Sequence, residues 1–324
     1  DLDLIFVHEI NDVEILEEGK TTTTSSIMYD IIRKFSSGKK INLSLSSESK
    51  LQLESEKSIF HLNCINVSEF PLTDENFNQN EFSIKSKQLL KLLNKCKFSV
   101  SNDETRHYLS GIYFHQNQIE DKIFLTAVAT DSHRMSISKL RMKEKVNFDS
   151  IILPKKTIFQ LITLLEQATG NIKISNNKSK VKFEMESGIL ISKVIDGRFP
   201  DYNKVVPKEN EKILQIKLNE FKNSIERVTT VSVDKKEGLK MNIKKDSIEL
   251  LVNSPNSGDG IENVKAKFNA DEMGISFNSK YLIDIASQIE DETIVMNLKE
   301  PGSPVLIKDL SDKYSFHVVM PMKI

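Results

Sequence analysis

Residues 158–200 read IFQLITLLEQATGNIKISNNKSKVKFEMESGILISKVIDGRFP. Ile158, Leu161, Ile162 and Leu165 stand at i, i+3, i+4 and i+7, the spacing of a helix with one buried face. From Ile172 the period shortens to two. Apolar and polar residues alternate through short runs broken by Asn, Ser and Gly, the pattern of antiparallel hairpins with one face covered. The stretch closes on Phe199-Pro200.

The same order occurs twice more. Residues 27–35 carry Met28, Ile31, Ile32 and Phe35 at helical spacing, followed by INLSLSSESKLQLESEKSIFHLNCINV (41–67) and by Phe70-Pro71. Residues 281–289 carry Leu282, Ile285, Ala286 and Ile289, followed by IVMNLKEPGSPVLIKDLSDKYSFHVV (294–319) and by Met320-Pro321. Helix and proline are about 40 positions apart each time. Self-similarity at a fixed period is the mark of a repeated unit.

A first half of the unit is legible in two of the three repeats. A helical stripe of Leu89, Leu92, Leu93 and Cys96 follows the short strand EFSI (81–84), and a stripe of Leu218, Phe221, Ile225 and Val228 follows ILQIKL (213–218). Strands come next, SGIYFHQ and KIFLTAVAT in one repeat and LKMNIKKDSIELLVN in the other. The unit is therefore strand, helix, strands, helix, strands, over roughly 125 residues. The first repeat lacks this half, and the spacing predicts about 45 matching residues before Asp1. The expected fold class is α+β, with three repeats of paired helices packed on antiparallel sheets. The expected domains are 1–78 (C-terminal part only), 79–207 and 208–324, with boundaries near Asn78 and Pro207 in polar, proline-bearing segments. NSPNSGDGIEN (253–263) reads as a loop inside the third repeat.

A chain of 324 residues with 39% hydrophobic residues can bury several cores. No apolar run approaches the roughly 18 residues of a membrane span, and no basic-then-apolar leader is visible. Cys64 and Cys96 are the only cysteines, too few for a disulfide framework. The expectation is two reduced structural thiols in a cytoplasmic protein, with no zinc site and no cofactor.

The net charge is −1 and the sequence pI about 6.7, unlike the basic balance of most DNA-binding domains. A nucleic-acid partner would require cations gathered on one surface. Lys87, Lys91 and Lys95 recur every four residues on one helix, reading as an exposed stripe with no acid among them. Lys155 and Lys156 open the second helix of that repeat, and Arg33 and Lys34 lie on its counterpart in the first. In the last repeat Lys217, Lys222 and Arg227 are diluted by Glu220 and Glu226. Acids concentrate on strands and turns, as in EILEEG and SESKLQLESEK. Such a distribution suits a phosphate backbone held without base readout.

ATDSHRMS (129–136) is the string most open to a catalytic reading, through Asp131, Ser132 and His133. Residues adjacent in sequence rarely converge on one reacting centre, and no nucleophile elbow, Walker loop or dinucleotide fingerprint is present. GDGIEN (258–263) lacks EF-hand ligand spacing. The chain reads as non-enzymatic, the alternatives being a hydrolase on Asp131 and His133 or a repeated scaffold that binds peptides without DNA.

TDSHRMS, GRFPDYNKVVP, DETRHYLSGIYF and the C-terminal HVVMPMKI together resemble the bacterial DNA polymerase III beta subunit, the beta sliding clamp family, along the whole chain. The resemblance implies three repeated clamp domains, the first without its N-terminal half. It implies a non-catalytic processivity subunit of the DNA polymerase III holoenzyme. Two subunits would close head-to-tail as a homodimer around double-stranded DNA. Partners would be the polymerase III alpha subunit, the clamp loader delta subunit, and other polymerases and repair proteins bearing short glutamine-and-leucine-rich motifs. Those motifs would enter an apolar groove between the second and third domains. On this chain the groove would comprise Arg106, Leu109, Thr130, Ser132, His133, Arg134, Met135, Pro200, Lys204, Val205, Asn278, Tyr281, Val318, Met320, Pro321 and Met322. Methionine suits such an adaptable surface. DNA would face Arg33, Lys87, Lys91, Lys95, His107, Tyr108 and Lys156. The chain departs from the family pattern at Ser132 (often glycine), Met135 (leucine), Lys204 and Lys323 (arginine) and His107 (tyrosine).

Overall fold

Each of the three alternating strings folds as a three-stranded antiparallel meander preceded by a helix. The structure, a computed structural model, describes residues 3–47, 49–70, 77, 81–146, 148–232 and 238–323. Pro71 and the expected boundary at Asn78 lie outside the described residues. Glu9–Asn76 form one unit, and Asp3–His8 with Phe77–Ile324 form another.

In chain order, β1 (Leu4–Val7) precedes the smaller unit, which holds α1 (Ser25–Ile32), β2 (Asn42–Ser47), β3 (Lys50–Ser55) and β4 (Ser58–Asn63). Register places Leu43 opposite Leu53 and Leu45 opposite Leu51, then Leu53 opposite Phe60 and Leu51 opposite Leu62. One face is thus mainly apolar, with the Ser55–Ser58 pair at its end. Leu51, Leu53 and Leu62 are buried, while Leu43 and Leu45 on the edge strand stay half exposed. No residue of α1 is fully buried. The helix stops at Ile32, short of the expected Phe35, because the N–H groups of Lys34 and Phe35 turn to carbonyls three residues back and Gly38 follows at φ 81°.

The middle repeat comprises β5 (Glu81–Lys85), α2 (Ser86–Lys97), β6 (Gly111–Ile119), β7 (Lys122–Thr130), β8 (Arg134–Met142), β9 (Ile151–Pro154), α3 (Lys155–Gln167), β10 (Asn171–Asn176), β11 (Lys180–Met185) and β12 (Gly188–Lys193). The expected stripes of α2 and α3 are all buried, in one cluster with Ile112, Phe114, Leu125, Ile172 and Phe183 from the strands. At about 25 cal/mol per Å2, each such side chain contributes roughly 1.5–3 kcal/mol. Cys96 lies in this core, donates to the Ala127 carbonyl at 3.4 Å, and burial pushes its thiol far above its usual range. It is inert packing. β1 joins the edge of β12, and a Cβ at Gly188 would meet the Val7 carbonyl oxygen at 2.3 Å, so this close approach requires glycine.

The last repeat follows with β13 (Lys212–Lys217), α4 (Leu218–Val228), β14 (Gly238–Ile243), β15 (Ser247–Ser254), β16 (Gly258–Phe268), β17 (Met273–Asn278), α5 (Ser279–Ala286), β18 (Thr293–Leu298), β19 (Val305–Asp309) and β20 (Asp312–Val319). Its core unites Phe221, Ile225 and Val228 of α4 with Leu282, Ile285 and Ala286 of α5. The expected loop at 253–263 is instead mostly a β-ribbon. Asn253 pairs with Asp259 and Val252 with Gly260, leaving a tight turn closed by Ser257 N–H on the Ser254 carbonyl at 3.1 Å. Polar residues there mark an exposed ribbon, not irregular chain.

The decisive junction is between β20 and β8. Val319 pairs with Arg134, Val318 with Met135 and His317 with Ser136. This pairing fuses the strands of the last two repeats into one sheet in the order β17-β14-β15-β16-β13-β18-β19-β20-β8-β7-β6-β9. His317, 1% exposed, lies with its ring 5.6 Å from that of Phe98 and its Nδ1 2.8 Å from the Ser136 hydroxyl. Burial, aided by the Lys95 charge, depresses its pKa to about 3, so the folded state holds it neutral. A depressed histidine pKa gives stability that is complete above the unfolded value of 6.5 and is lost as pH falls toward 3. His317 should therefore cost about 2 kcal/mol between pH 7 and pH 5. Urea unfolding of wild type and His317→Gln should diverge in pH slope by that amount, and parallel slopes would exclude the buried neutral ring.

Candidate peptide groove and basic helix faces

Leu109, Met135 and Val318 come from a short turn, from β8 and from β20, and each is at most 4% exposed. With Val128, Ile137, Ile152, Phe199 and Tyr202 they form an apolar cluster distinct from the two main cores. Of the expected groove, Met320 at 40%, Met322 at 37% and Val205 at 58% remain open to solvent, as does Pro200. A buried apolar cluster whose strand β20 runs on into exposed methionines offers apolar side chains to a partner's apolar anchors.

The tail is fixed by backbone bonds to the turn before β8 and to β17. Met320 N–H donates to the His133 carbonyl at 2.8 Å, and Met322 N–H to the Ser276 carbonyl at 2.7 Å. The 130–134 turn is held from within. The Thr130 hydroxyl donates to the Arg134 carbonyl at 2.7 Å and accepts Ser132 N–H at 3.1 Å. Asp131 Oδ1 accepts the N–H groups of His133 and Arg134 at 3.0 and 2.9 Å. The Asp131 carboxylate is thus committed to backbone and to Arg134. Ser132 stands at φ 77°, and its hydroxyl accepts from Arg106 Nη1 at 2.6 Å. Asp131, Ser132 and His133 form a structural turn and no catalytic relay.

Arg134 is a tie beam more than a ligand contact. It is 8% exposed, lies over the Tyr281 ring at 4.3 Å and the Phe98 ring at 5.2 Å, and pairs with Asp131 at 3.0 Å and Asp284 at 2.6 Å. Its remaining Nη2 donates to the Phe98 carbonyl. One guanidinium therefore joins the end of α2, the β7–β8 turn and α5. The His133 and Tyr281 rings stack at 6.5 Å, and burial, then the Asp131 charge, push the Tyr281 phenol up. Asn278 caps α5 through its side chain. Pro200 and Val205 flank the short 3-10 turn Tyr202–Lys204, which ends on Lys204 and whose Tyr202 enters the apolar cluster. Phe98, Asp284, Phe199 and Tyr202 escaped the sequence reading. Phe98 and Asp284 gave no motif signal, although Phe199 and Tyr202 stand inside the quoted GRFPDY string.

The expected lysine stripe needs correction. Lys87 and Lys91 are exposed, but Lys95 is 3% exposed. Lys95 pairs with Glu290 at 3.2 Å and Asp309 at 3.3 Å and donates to the Gln288 carbonyl. Lys91 pairs with Asp312 at 3.0 Å and Glu290 at 3.3 Å. The acids missing from the helix are supplied by the last repeat, because four-residue spacing on α2 turns the C-terminal lysine toward that neighbour. Burial opposes ionisation of Asp309, yet the Ser311 hydroxyl, the Glu290 and Ser311 N–H groups and Lys95 hold its carboxyl down to about 2. Lys95 is thus a buried junction cation and is not free to meet phosphate. Lys156 is exposed at the start of α3. Arg33 pairs with Asp30 at 2.9 Å. His107 and Tyr108, with ring centroids 5.9 Å apart, share the Glu104–Leu109 turn with Arg106. Among the described residues, no group of three His, Cys, Asp or Glu side chains could hold a metal, and no helix is long and apolar enough to cross a membrane.

Profiles of the DNA polymerase III beta subunit match in succession, its N-terminal domain over residues 1–74, its central domain over 83–201 and its C-terminal domain over 203–323. The chain belongs to the beta sliding clamp family. The Caulobacter vibrioides beta sliding clamp is 32% identical, aligning with 97% of this chain and 87% of its own length. The Escherichia coli K12 clamp is 28% identical over 100% of this chain and 87% of its own. A solved Bartonella birtlesii clamp, bound to griselimycin, superposes with a TM-score of 0.94 at 33% identity, covering 100% of this chain and 87% of that one. A Caulobacter crescentus clamp, with PEG bound to what is described as a beta-motif tethering region, gives 0.97 at 31% identity, covering 100% and 86%. Beta sliding clamps are non-catalytic processivity factors of DNA replication, and the three-repeat reading of this clamp stands.

Removing Arg134 would strand the part-buried Asp131 and Asp284. Arg134→Ala should destabilise the clamp by about 3 kcal/mol, and Arg134→Lys should recover less than half, since a lysine cannot reproduce the fork or the two-ring stack. Guanidinium unfolding measures both, and a change within about 0.5 kcal/mol, the usual range of a surface substitution, would refute the tie.

Proposed function

We propose that this clamp closes head-to-tail as a homodimer around double-stranded DNA and tethers the replicative polymerase. In this reading the domains are 1–78, 79–207 and 208–324, working in the cytoplasm, and the groove beside β20 and the 130–134 turn captures partner motifs. The partners are the polymerase III alpha subunit, the clamp loader delta subunit, and other polymerases and repair proteins with such motifs. The observation that carries the proposal is the buried cluster of Leu109, Met135 and Val318 together with the exposed Met320, two residues past Val318 and tied by its N–H to the His133 carbonyl. An extended peptide can seat a few apolar anchors there, and a few anchors dominate affinity in such complexes. The ligands at two related clamps, griselimycin and PEG, support a receptive surface.

Thr130, Ser132, His133, Arg134 and Asn278 act in this site through the turn and cap they hold. Contact belongs to Met320, Pro321, Met322, Val205, Pro200, Tyr281 and His133, with Arg106 and Lys204 on the rim. DNA contact falls to Lys87, Lys156, Arg33, His107 and Tyr108, with Lys91 reduced by its acids and Lys95 excluded. Loose contact without base readout agrees with the overall charge of −1.

Light scattering on the full chain should give about twice its 37.0 kDa. After loading, the clamp should stay on closed circular DNA and leave when the circle is cut. A monomer, or equal loss from both DNAs, would remove the ring.

Met320→Ala with Met322→Ala should weaken a glutamine-and-leucine-rich peptide about tenfold or more while leaving the dimer unchanged. Unaltered affinity in fluorescence anisotropy would relocate the groove.

A further inference from the structure

Phe159 stands on α3 outside the buried stripe of Ile158, Leu161, Ile162 and Leu165, and is 47% exposed. Its ring meets no other ring and no cation among the described residues. A single exposed aromatic is ordinary on a protein surface. This one recurs. The stripe of Met28, Ile31, Ile32 and Phe35 matches that of α3 position by position, which sets Tyr29 against Phe159. Tyr29 is 66% exposed, and the Arg33 guanidinium lies over its ring at 5.8 Å. In the last repeat the matching residue is Ile283, which packs against the core.

Cations lie one turn from each ring. Lys155 and Lys156 precede Phe159 by four and three residues, and Arg33 follows Tyr29 by four, so ring and cation share a helix face. Lys155 Nζ donates to the Asn102 side-chain oxygen, a neutral partner that leaves its charge uncancelled. Lys193, and more weakly Lys156, hold the Asp3 carboxyl below its usual range. Glu166 is the one acid of α3 and stands seven residues past Phe159. Lys155 also ties the start of α3 to its neighbour. Its N–H donates to the Ser110 carbonyl at 3.1 Å, and Asn102 and Ser110 bracket the Glu104–Leu109 turn that carries the exposed His107 and the half-buried Tyr108. Lysines interleaved with aromatic rings hold unpaired nucleic acid, the cations by attracting phosphate and the rings by stacking on bases. In a duplex those base faces are covered by neighbouring pairs.

We propose that Phe159 is a stacking platform for single-stranded DNA, set on α3 beside Lys155 and Lys156. The same face then meets duplex phosphates through its lysines and unpaired bases through its ring. The proposal rests on reading this face as a DNA-contacting side of the clamp.

The test uses the full chain, a fluorescein-labelled oligothymidylate of about 15 nucleotides and a duplex of the same length, compared by anisotropy at low salt. Wild type should bind both. Phe159→Ala and Phe159→Leu should each lose about five- to tenfold on the single strand, the leucine because apolar bulk does not replace an aromatic face. Phe159→Tyr should stay within about twofold of wild type, and all three variants should keep duplex affinity within about twofold. Unchanged urea midpoints report an intact fold. Full single-strand affinity in Phe159→Ala or Phe159→Leu overturns the platform, as does an equal loss on both DNAs. A wild type that binds duplex alone also overturns it, and leaves the DNA face standing. If wild type binds neither, the DNA face and the platform both fall.

Discussion

The pairing of β20 with β8 is the constraint on which the site depends. A strand from the end of the chain completes the sheet of the middle repeat and brings Val318 beside Met135. Without it the floor would lose Val318 and the tail would lose the His133 carbonyl that positions Met320. Charged groups reinforce the seam from both sides. Arg134 reaches from β8 to Asp284 of α5, and Lys95 reaches from α2 to Asp309 at the end of β19. Buried ions are poor sources of net stability, but breaking such a pair is costly. Their effect is to specify one alignment of the two repeats.

The same seam shows why charge was harder to read than hydrophobicity. The stripes of α2, α3 and α5 buried as their spacing required, because a 3.6-residue period fixes which side chains share a face. The meander in each repeat was likewise legible from period-2 alternation. The lysine spacing fixed a face too, but spacing is silent about what packs against that face. For Lys95 the answer comes from residues roughly two hundred positions later. Phe98 and Asp284 were missed for the same reason, since their work is to hold Arg134 across a long-range contact. Polar composition misled at residues 253–263, where an exposed ribbon has the residues of a loop.

The candidate groove was legible only through resemblance. Taken alone, Met320 and Met322 could finish a core strand, and their exposure of 40% and 37% decides otherwise. The structure also divides the site by task. Thr130, Asp131 and Asn278 spend their hydrogen bonds on backbone, which leaves contact to the apolar tail and to the rim. A groove built in this way takes its shape from buried polar fixtures and its affinity from exposed apolar ones.

The fused sheet has a consequence for modularity. The repeats look like interchangeable beads in the sequence, yet the last two share hydrogen bonds across β8 and β20. Cutting the chain near residue 207 would leave β8 as a row of orphaned N–H and C=O groups, a ready template for a foreign strand. These two repeats should therefore exchange their amide hydrogens as a single cooperative block, and the repeat that evolution could copy is no longer one that a protein engineer could excise.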